Sequence, residues 1–297
     1  MKLMEALKKG WILVSDGAWG TFLHEKGLKP GECPELWNLT HPEEVLDIAR
    51  SYVEAGSDII ETNSFGANRI KLRHYGLENR AREINQKAGE ISREAAGEDR
   101  IVLGSMGPTG KFLITGEVTE EELLEAFSEQ AVALEQGGVD AVCIETMTAL
   151  DEALIAVKAV REYTDLEIVC TFTFDRMADG TYRTIMGVSP SEMAKALIEA
   201  GAHVIGTNCG NGMGPMVDIV REIRSVAKDI PILVHANAGK PIVQEGKTVF
   251  PETPEEMANQ VSELIRAGAN VIGGCCGTTP QHIRAMREVV DKHLLNL

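Results

Sequence analysis

Short apolar runs recur along the chain, and each is followed by a longer segment whose apolar residues have helical spacing. The runs do not alternate apolar with polar residues, which indicates strands buried on both faces, as in a parallel sheet covered by helices. Eight runs follow this pattern, and they begin near residues 12, 58, 100, 141, 167, 204, 231 and 271. Each predicted strand is therefore paired with the helix that follows it.

The joint between helix and strand also repeats in the sequence. Ala55–Asp58, Ala200–His203 and Ala267–Asn270 each place an Ala-Gly pair directly before a predicted strand. Glycine commonly ends helices in the left-handed conformation, so one architectural joint is used three times. Eight β-then-α units close naturally into a barrel, and 297 residues suit a fold that typically needs ~250. We predict an α/β protein with the (β/α)8 TIM barrel fold and a single domain over residues 1–297. An open, doubly wound sheet is the alternative.

Residues 1–9 precede the first strand and place Leu3, Met4 and Leu7 on one helical face. We expect this segment to cover the bottom of the barrel. No run approaches 18 apolar residues, and no basic leader with an apolar core precedes the first strand. The sequence therefore predicts neither a membrane span nor a signal peptide.

Composition and charge narrow the class of protein further. The net charge is −16 and the pI is near 4.9, which argues against a nucleic-acid or anionic-membrane surface. Six cysteines in 297 residues are too few for a disulfide scaffold. We expect a cytoplasmic protein whose thiols stay reduced and free to bind a metal.

Three cysteines follow predicted strands: Cys209 after the sixth, and Cys275 with Cys276 after the eighth. In a barrel these strand ends face one axial point, where α/β proteins hold their functional residues. Adjacent cysteines make a poor disulfide, because their Cα atoms lie ~3.8 Å apart and a disulfide needs ~4.4–6.8 Å. Zinc accommodates them well. The alternative is a set of buried structural cysteines, which is our interpretation of Cys143 and Cys170.

Three thiolates leave one position of a tetrahedral zinc open, as in a catalytic site. A thiol substrate bound there loses its proton at neutral pH, from a free pKa of ~8.5. Because three thiolates donate strongly, the metal is a weak Lewis acid and the bound sulfur stays nucleophilic. The ligand set therefore fits activation of a thiol better than activation of water, for which histidine ligands are usual.

Six motifs of the chain resemble the homocysteine S-methyltransferase family. They are Asp16–Thr21, Glu61–Phe65, Gly107–Gly110, Thr207–Gly210, Asn237–Gly239 and Gly273–Gly277. Within the family, the chain is most similar to the homocysteine-binding domain of cobalamin-dependent methionine synthase, and the likeness extends from the first strand to the eighth. The resemblance implies a (β/α)8 barrel, zinc held by Cys209, Cys275 and Cys276, and methyl transfer to a zinc-bound thiolate.

The resemblance also implies contacts with an amino-acid substrate. Asp16 and Glu145 would anchor its ammonium group, and the backbone of Gly17 and Ala18 would meet its carboxylate. Asn208 is expected among the same substrate-binding residues, and from their positions Asn208 and Asn237 could both orient the backbone around the zinc. From the residues alone, the two carboxylates could instead cap loops or pair with a Lys or Arg, and Asn208 could simply tolerate a turn.

Four residues near the predicted mouth have no assigned role. Glu61, on the second strand, lies close to the two proposed anchors, and His235 lies between the two thiol-bearing strands. Trp19, His235 and Lys240 stand where methionine synthases commonly have other residue types. Because these positions line the mouth, they bear on the identity of substrate and donor more than on the zinc.

The sequence thus predicts a zinc-dependent methyltransferase that converts homocysteine to methionine. Because the sequence ends after the barrel, we expect the donor, methylcobalamin or another methyl-corrinoid, on a separate partner protein. One alternative is a family member that uses S-methylmethionine, betaine or another small donor. Another is a corrinoid-linked demethylase acting on a zinc-bound methylated substrate. Outside the enzymes, the alternative is a zinc-storage or redox-sensing barrel.

Overall fold

The computed structural model describes residues 2–244 and 246–295, and the main sheet in these ranges is an eight-stranded parallel barrel. Its strands, labelled β1 to β8 in chain order, are Leu13–Val14, Ile59–Glu61, Ile101–Met106, Ala141–Met147, Glu167–Phe172, Val204–Asn208, Ile232–Ala236 and Val271–Gly274. Neighbours in the sheet follow the order β1-β8-β7-β6-β5-β4-β3-β2. The predicted (β/α)8 fold is confirmed.

Helices follow the strands and cover the outside of the barrel. In chain order the α-helices are Leu3–Lys8, Gly20–Glu25, Trp37–Thr40, Pro42–Ala55, Arg69–Leu72, Ala81–Ala96, Glu120–Gln136, Leu150–Tyr163, Pro190–Ala200, Met213–Val226, Pro254–Ala267 and Pro280–Leu294. Short 3-10 turns lie at Pro34–Leu36, Arg73–Tyr75, Glu78–Arg80 and Leu113–Thr115. Within the described residues, no helix combines the length and the apolar character needed to cross a bilayer.

The repeated Ala-Gly joint ends three helices as predicted. Gly56, Gly201 and Gly268 adopt the left-handed conformation, with φ of 97°, 93° and 111°. A side chain at such a position would be strained, so glycine there allows the chain to turn directly into the next strand.

Two antiparallel hairpins were not predicted. Asp175–Arg176 pairs with Tyr182–Arg183, and Ile242–Gln244 pairs with Lys247–Val249. They extend the loops after β5 and β7, and therefore lie at the end of the barrel where the strands finish. Their strands have only two or three residues, which is too short for periodicity to identify them.

The lower half of the barrel interior is filled by apolar side chains. The strands contribute inward-facing residues to one buried cluster there: Leu13, Ile59, Ile101, Leu103, Ala141, Cys143, Val169, Val204, Leu233 and Val271. Leu3, Ala6 and Leu7 of the first helix join this cluster and are 0–7% exposed. The helix therefore closes the bottom of the barrel, as predicted; Met1 lies outside the described residues. Apolar packing thus fills this end of the barrel.

β1 and β2 are the two ends of the sheet order, and the contact between them is called the seam below. The Asp58 N–H donates to the Val14 carbonyl oxygen at 2.7 Å. Two side-chain carboxylates supply the other acceptors: Asp58 Oδ2 accepts from the Val14 N–H at 2.8 Å, and Asp16 Oδ2 accepts from the Glu61 N–H at 2.8 Å. Arg287 Nη1 holds Asp58 Oδ2 at 2.8 Å. Carboxylates thus close the barrel at this joint.

Gly206 in β6 tests how tightly neighbouring strands approach. A Cβ added there would lie 1.9 Å from the backbone oxygen of Leu233, which cannot move aside as a side chain would. We expect Gly206→Ala to lower the free energy of unfolding by roughly 1–3 kcal/mol and the melting temperature by about 2–10 °C. Gly20→Ala is the matched control, since a Cβ at Gly20 meets nothing within 4 Å. Equal melting temperatures for both variants in thermal unfolding would contradict this close approach.

Candidate metal and substrate site

The structure brings the three predicted cysteines together at the upper end of the barrel. Their sulfur atoms all lie within 4.8 Å of one another. Cys209 Sγ is 3.9 Å from Cys276 Sγ, and Cys275 Sγ is 4.0 Å from Cys276 Sγ. Sulfurs bound to a tetrahedral zinc at ~2.3 Å are separated by about 3.8 Å. The trio therefore fits zinc in both the number and the spacing of its donors.

Cys209 reaches this position through an unusual backbone conformation. Its φ is 59°, in the left-handed region that non-glycine residues rarely adopt, and Gly210 follows with φ 73°. The Cys209 N–H donates to the His235 carbonyl oxygen at 2.9 Å, so the turn is fixed to β7. Such conformations persist where the surroundings impose them, and they occur often at functional sites.

The loop after β8 holds Cys275 and Cys276 by hydrogen bonds to its backbone. The Cys275 N–H donates to the Ala236 carbonyl oxygen at 2.7 Å, and the Cys276 carbonyl oxygen accepts from the Ala238 N–H at 3.0 Å. Thr278 Oγ1 donates to the Cys275 carbonyl oxygen at 2.7 Å. Both thiols are therefore carried on a loop that is tied to β7 and to the start of the last helix.

The three thiols share protons. Hydrogen bonds from Cys275 and Cys276 lower the pKa of Cys209 to about 3. The same bonds to Cys209 raise the pKa of Cys275 and of Cys276. A metal that binds all three sulfurs would therefore displace the protons that the trio holds.

The remaining cysteines do not join the trio. Cys143 and Cys170 are fully buried in the apolar core, where burial raises the pKa of each thiol. Cys33 is also buried, and its thiol donates to Glu35 Oε2 at 3.3 Å. The interpretation of Cys143 and Cys170 as core residues agrees with these positions.

A cavity of about 340 Å³ lies beside the trio. Its lining includes Gly17, Ala18, Trp19, Gly20, Thr21, Leu23, Pro34, Glu35, Glu61, Thr62, Asn63, Ser64, Phe65, Ser105, Glu145, Thr146, Cys209, His235, Gly274, Cys275 and Cys276. Of the predicted substrate contacts, Gly17, Ala18 and Glu145 lie in this wall, whereas Asp16 and Asn208 lie behind it. Both are 0% exposed.

Asp16 is already engaged by neighbouring groups. Its Oδ2 accepts from the Glu61 N–H at 2.8 Å and from Trp19 Nε1 at 3.0 Å. Burial raises the pKa of this carboxyl to about 7, against the opposing effect of those hydrogen bonds. Asp16 therefore fixes the Trp19 ring at the cavity wall, which gives that residue a position that the sequence did not explain.

Glu145 is held in the wall by hydrogen bonds to both oxygens. Ser105 Oγ donates to its Oε1, and Asn208 Nδ2 donates to its Oε2 at 3.2 Å. The pKa of Glu145 is raised to about 7, mainly by burial, with the hydrogen bond from Ser105 opposing the shift and the nearby Cys209 and Asp16 adding to it. A cationic group entering the cavity would favour the ionised form.

Both the oxygen and the nitrogen of the Asn208 side-chain amide form hydrogen bonds within the protein. Its Oδ1 accepts from the Thr146 N–H at 2.8 Å and from Thr171 Oγ1 at 2.7 Å, and its Nδ2 donates to Thr146 Oγ1 at 2.7 Å as well as to Glu145. Thr146 has φ 60°, the same left-handed conformation as Cys209. In this geometry Asn208 orients Glu145 and the end of β4.

The backbone of Ala18 is also engaged. Its N–H donates to Thr278 Oγ1 at 3.0 Å, and its carbonyl oxygen accepts from the Tyr52 hydroxyl at 2.7 Å. A Cβ at Gly17 would lie 2.7 Å from Thr278 Oγ1, so glycine allows the loop after β1 to pack against the loop after β8. Thr278 thus joins the wall of Gly17 and Ala18 to the cysteine loop.

Asn237 has a place in the site that the sequence left open. Its side chain helps to lower the pKa of the Cys209 thiol. Among the described residues, its Oδ1 is buried without a hydrogen-bond partner. In the sequence, its position directly after β7 was the indication that Asn237 lies near the site. Its proximity to Cys209 depends on the left-handed turn at that cysteine, which the sequence does not reveal.

Comparison with known proteins adds an independent finding. The sequence profile of the homocysteine S-methyltransferase family matches residues 13–290. Two methionine synthases are each 34% identical to the chain: one from Mycobacterium leprae (strain TN) over 98% of it, and one from Mycobacterium tuberculosis (strain ATCC 25618 / H37Rv) over 94%. The chain spans only 25% and 24% of the length of these two relatives.

The fold has a counterpart among solved structures. The metallated form of the homocysteine methyltransferase MmuM from Escherichia coli superposes with a TM-score of 0.78, at 23% sequence identity. The match covers 96% of this chain and 98% of that one. The barrel is therefore shared over nearly its full extent.

Proposed function

The chain belongs to the homocysteine S-methyltransferase family, and from this premise we propose that it transfers a methyl group to the sulfur of homocysteine, giving methionine. The observation that carries the proposal is the cysteine trio, with sulfur separations of 3.9 and 4.0 Å beside a cavity. That spacing suits a tetrahedral metal with one position left for a substrate sulfur.

Cys209, Cys275 and Cys276 would hold the zinc. Bound there, zinc would keep the substrate sulfur deprotonated at neutral pH, which is its nucleophilic form. The S–CH3 bond forms as the bond between methyl and donor breaks, and the thiol proton leaves to solvent. Reduced thiols are needed, which agrees with a cytoplasmic location as part of the proposal.

The amino-acid part of the substrate would be recognised by the cavity wall. We assign Glu145 to the ammonium group, with Asp16 behind it as a second negative group and Asn208 as the residue that orients Glu145. The Gly17–Ala18 wall would face the substrate carboxylate, with the Ala18 N–H shared with Thr278. A thiol without these groups would bind through its sulfur alone.

The proposed donor is a methyl-corrinoid such as methylcobalamin, as the resemblance to cobalamin-dependent methionine synthase implies. A corrinoid-bearing protein would then be the partner of the barrel. Small donors such as S-methylmethionine or betaine are the alternative, and they would have to enter the same 340 Å³ cavity beside Trp19 and Phe65.

Turnover of zinc-loaded protein with homocysteine and each donor tests this proposal. We expect methionine to form with methylcobalamin and its rate to fall to background when a chelator removes the zinc. Methionine formed only from S-methylmethionine or betaine would overturn the proposal that the donor is a methyl-corrinoid. Transfer of the methyl group from methionine to a reduced corrinoid, without methylation of homocysteine, would show that the enzyme works as a demethylase instead. Metal binding without turnover on any thiol would favour a zinc-sensing barrel.

A further inference from the structure

Two buried polar atoms in the cavity wall have no hydrogen-bond partner among the described residues: Glu61 Oε1 and His235 Nε2. Their residues are 6% and 1% exposed, and both line the cavity beside the cysteine trio. His235 Nδ1 lies 3.8 Å from Glu61 Oε1, which is longer than a hydrogen bond. Buried polar groups are nearly always paired, so two unpaired atoms in one cavity point to a ligand that pairs them.

Glu61 differs in this respect from the other two carboxyls of the site. Asp16 Oδ2 accepts two N–H groups, from Glu61 and Trp19, and Asp16 does not line the cavity. Glu145 accepts one hydrogen bond on each oxygen, from Ser105 and Asn208. Glu61 lines the cavity, and its Oε1 is buried with its acceptor sites unused.

The charge balance of the cavity favours a cation from outside. Glu35, Glu61 and Glu145 contribute carboxyls to the lining, and none of the lining residues is a Lys or Arg. His235 is the basic side chain beside Glu61, but its Nδ1 lies 3.8 Å from Glu61 Oε1, too far for a hydrogen bond. Burial and the nearby Glu145 and Asp16 raise the pKa of Glu61, so a cation that enters the cavity would favour its ionised form.

Given homocysteine as the acceptor, on which this inference rests, we propose that Glu61 is a specificity-determining residue whose carboxylate accepts a hydrogen bond from the substrate's ammonium group. His235 lies against Glu61 and adds an unpaired ring nitrogen, Nε2, to the same wall. Glu61 also donates its own backbone N–H to Asp16, so its Cα is held at the seam, at the end of β2. The ammonium would then lie between Glu61 and Glu145, and the substrate class is a thiol bearing an α-amino group.

Glu61→Gln tests the assignment, with calorimetric binding to the zinc-loaded protein as the readout. The probes are homocysteine and 4-mercaptobutanoate, which lacks only the amino group. Losing a charged hydrogen bond should weaken homocysteine roughly 10- to 150-fold, while 4-mercaptobutanoate changes less than about threefold and zinc content is unchanged. Unchanged homocysteine affinity, or an equal loss for both thiols, would overturn the role of Glu61.

Glu35→Gln is the matched control, because Glu35 lines the same cavity but already accepts from the Gly66 N–H at 2.6 Å and from the Cys33 thiol at 3.3 Å. Because its oxygens are engaged by these donors, Glu35→Gln should change the ratio of the two affinities far less than Glu61→Gln does. If Glu61→Gln does not fold, Glu61→Asp keeps the charge but withdraws it by one methylene, and it should lower the same ratio. A parent protein that binds homocysteine no better than 4-mercaptobutanoate would instead refute the proposed function itself.

Discussion

Replacing Cys209, Cys275 or Cys276 with serine is expected to remove zinc from the site in each case. A serine hydroxyl stays protonated at neutral pH and is not among the usual zinc ligands. Structural zinc contributes about 10–16 kcal/mol through four ligands, so one ligand accounts for ~3 kcal/mol, or a loss of roughly 100-fold or more in affinity. Metal analysis of the purified variants, and competition with a coloured chelator, measures this loss.

Cys143→Ala and Cys170→Ala are the controls for this prediction. Both thiols are fully buried in the core, away from the trio, so their removal should reduce stability modestly and leave zinc content near one equivalent. Zinc retained in all three serine variants would show that the metal is bound elsewhere in the protein. Zinc lost from the Cys143 or Cys170 variants as well would indicate a general folding defect.

Glu145→Gln is expected to weaken homocysteine by roughly 10- to 150-fold, the effect of removing one charged hydrogen bond in a buried site. The substitution keeps the shape of the side chain and one oxygen that can accept from Asn208, while the new NH2 group can donate to the Ser105 hydroxyl. Zinc content should therefore not change. Binding of homocysteine and of a thiol without the amino group, measured side by side, separates loss of charge from loss of packing.

The thiol without an amino group is the internal control for Glu145→Gln, because it reaches the metal through sulfur alone. Its affinity should stay within about threefold of the parent value while that of homocysteine falls. A variant that binds homocysteine as tightly as the parent would remove Glu145 from recognition. The acceptor would then have to be sought among other thiols, with Trp19 and His235 as the next residues to replace.

The barrel and the meeting of the cysteines could be predicted because their signals are local in the sequence. Eight apolar runs, helix-ending glycines such as Gly56 and Gly268, and cysteines placed just after strands each follow from the chemistry of a few neighbouring residues. Barrel geometry then brings the ends of β6 and β8 towards one axis. Only the spacing of the sulfurs had to come from the structure.

The division of labour among the polar residues could not be predicted in the same way. Whether Asp16, Glu61 or Glu145 has a free oxygen depends on donors from other strands, such as Trp19, Ser105 and Asn208, in an arrangement set by the whole barrel. The two hairpins escaped prediction because two- and three-residue strands have no period. The positions of the motifs thus located the site but did not reveal which oxygen atoms already accept hydrogen bonds from the protein.

The seam between β1 and β2 links ligand binding to the rigidity of the barrel. The Val14 and Glu61 amides are held by the carboxylates of Asp58 and Asp16 rather than by a strand ladder, so hydrogen exchange at these two amides reports local opening of the barrel. A ligand that contacts the Glu61 side chain binds only the closed form, and its binding free energy adds to the energy of opening. Substrate would therefore slow exchange at the seam far more than in β5, which contributes no residue to the cavity lining. The barrel with substrate bound would be more rigid than the empty one.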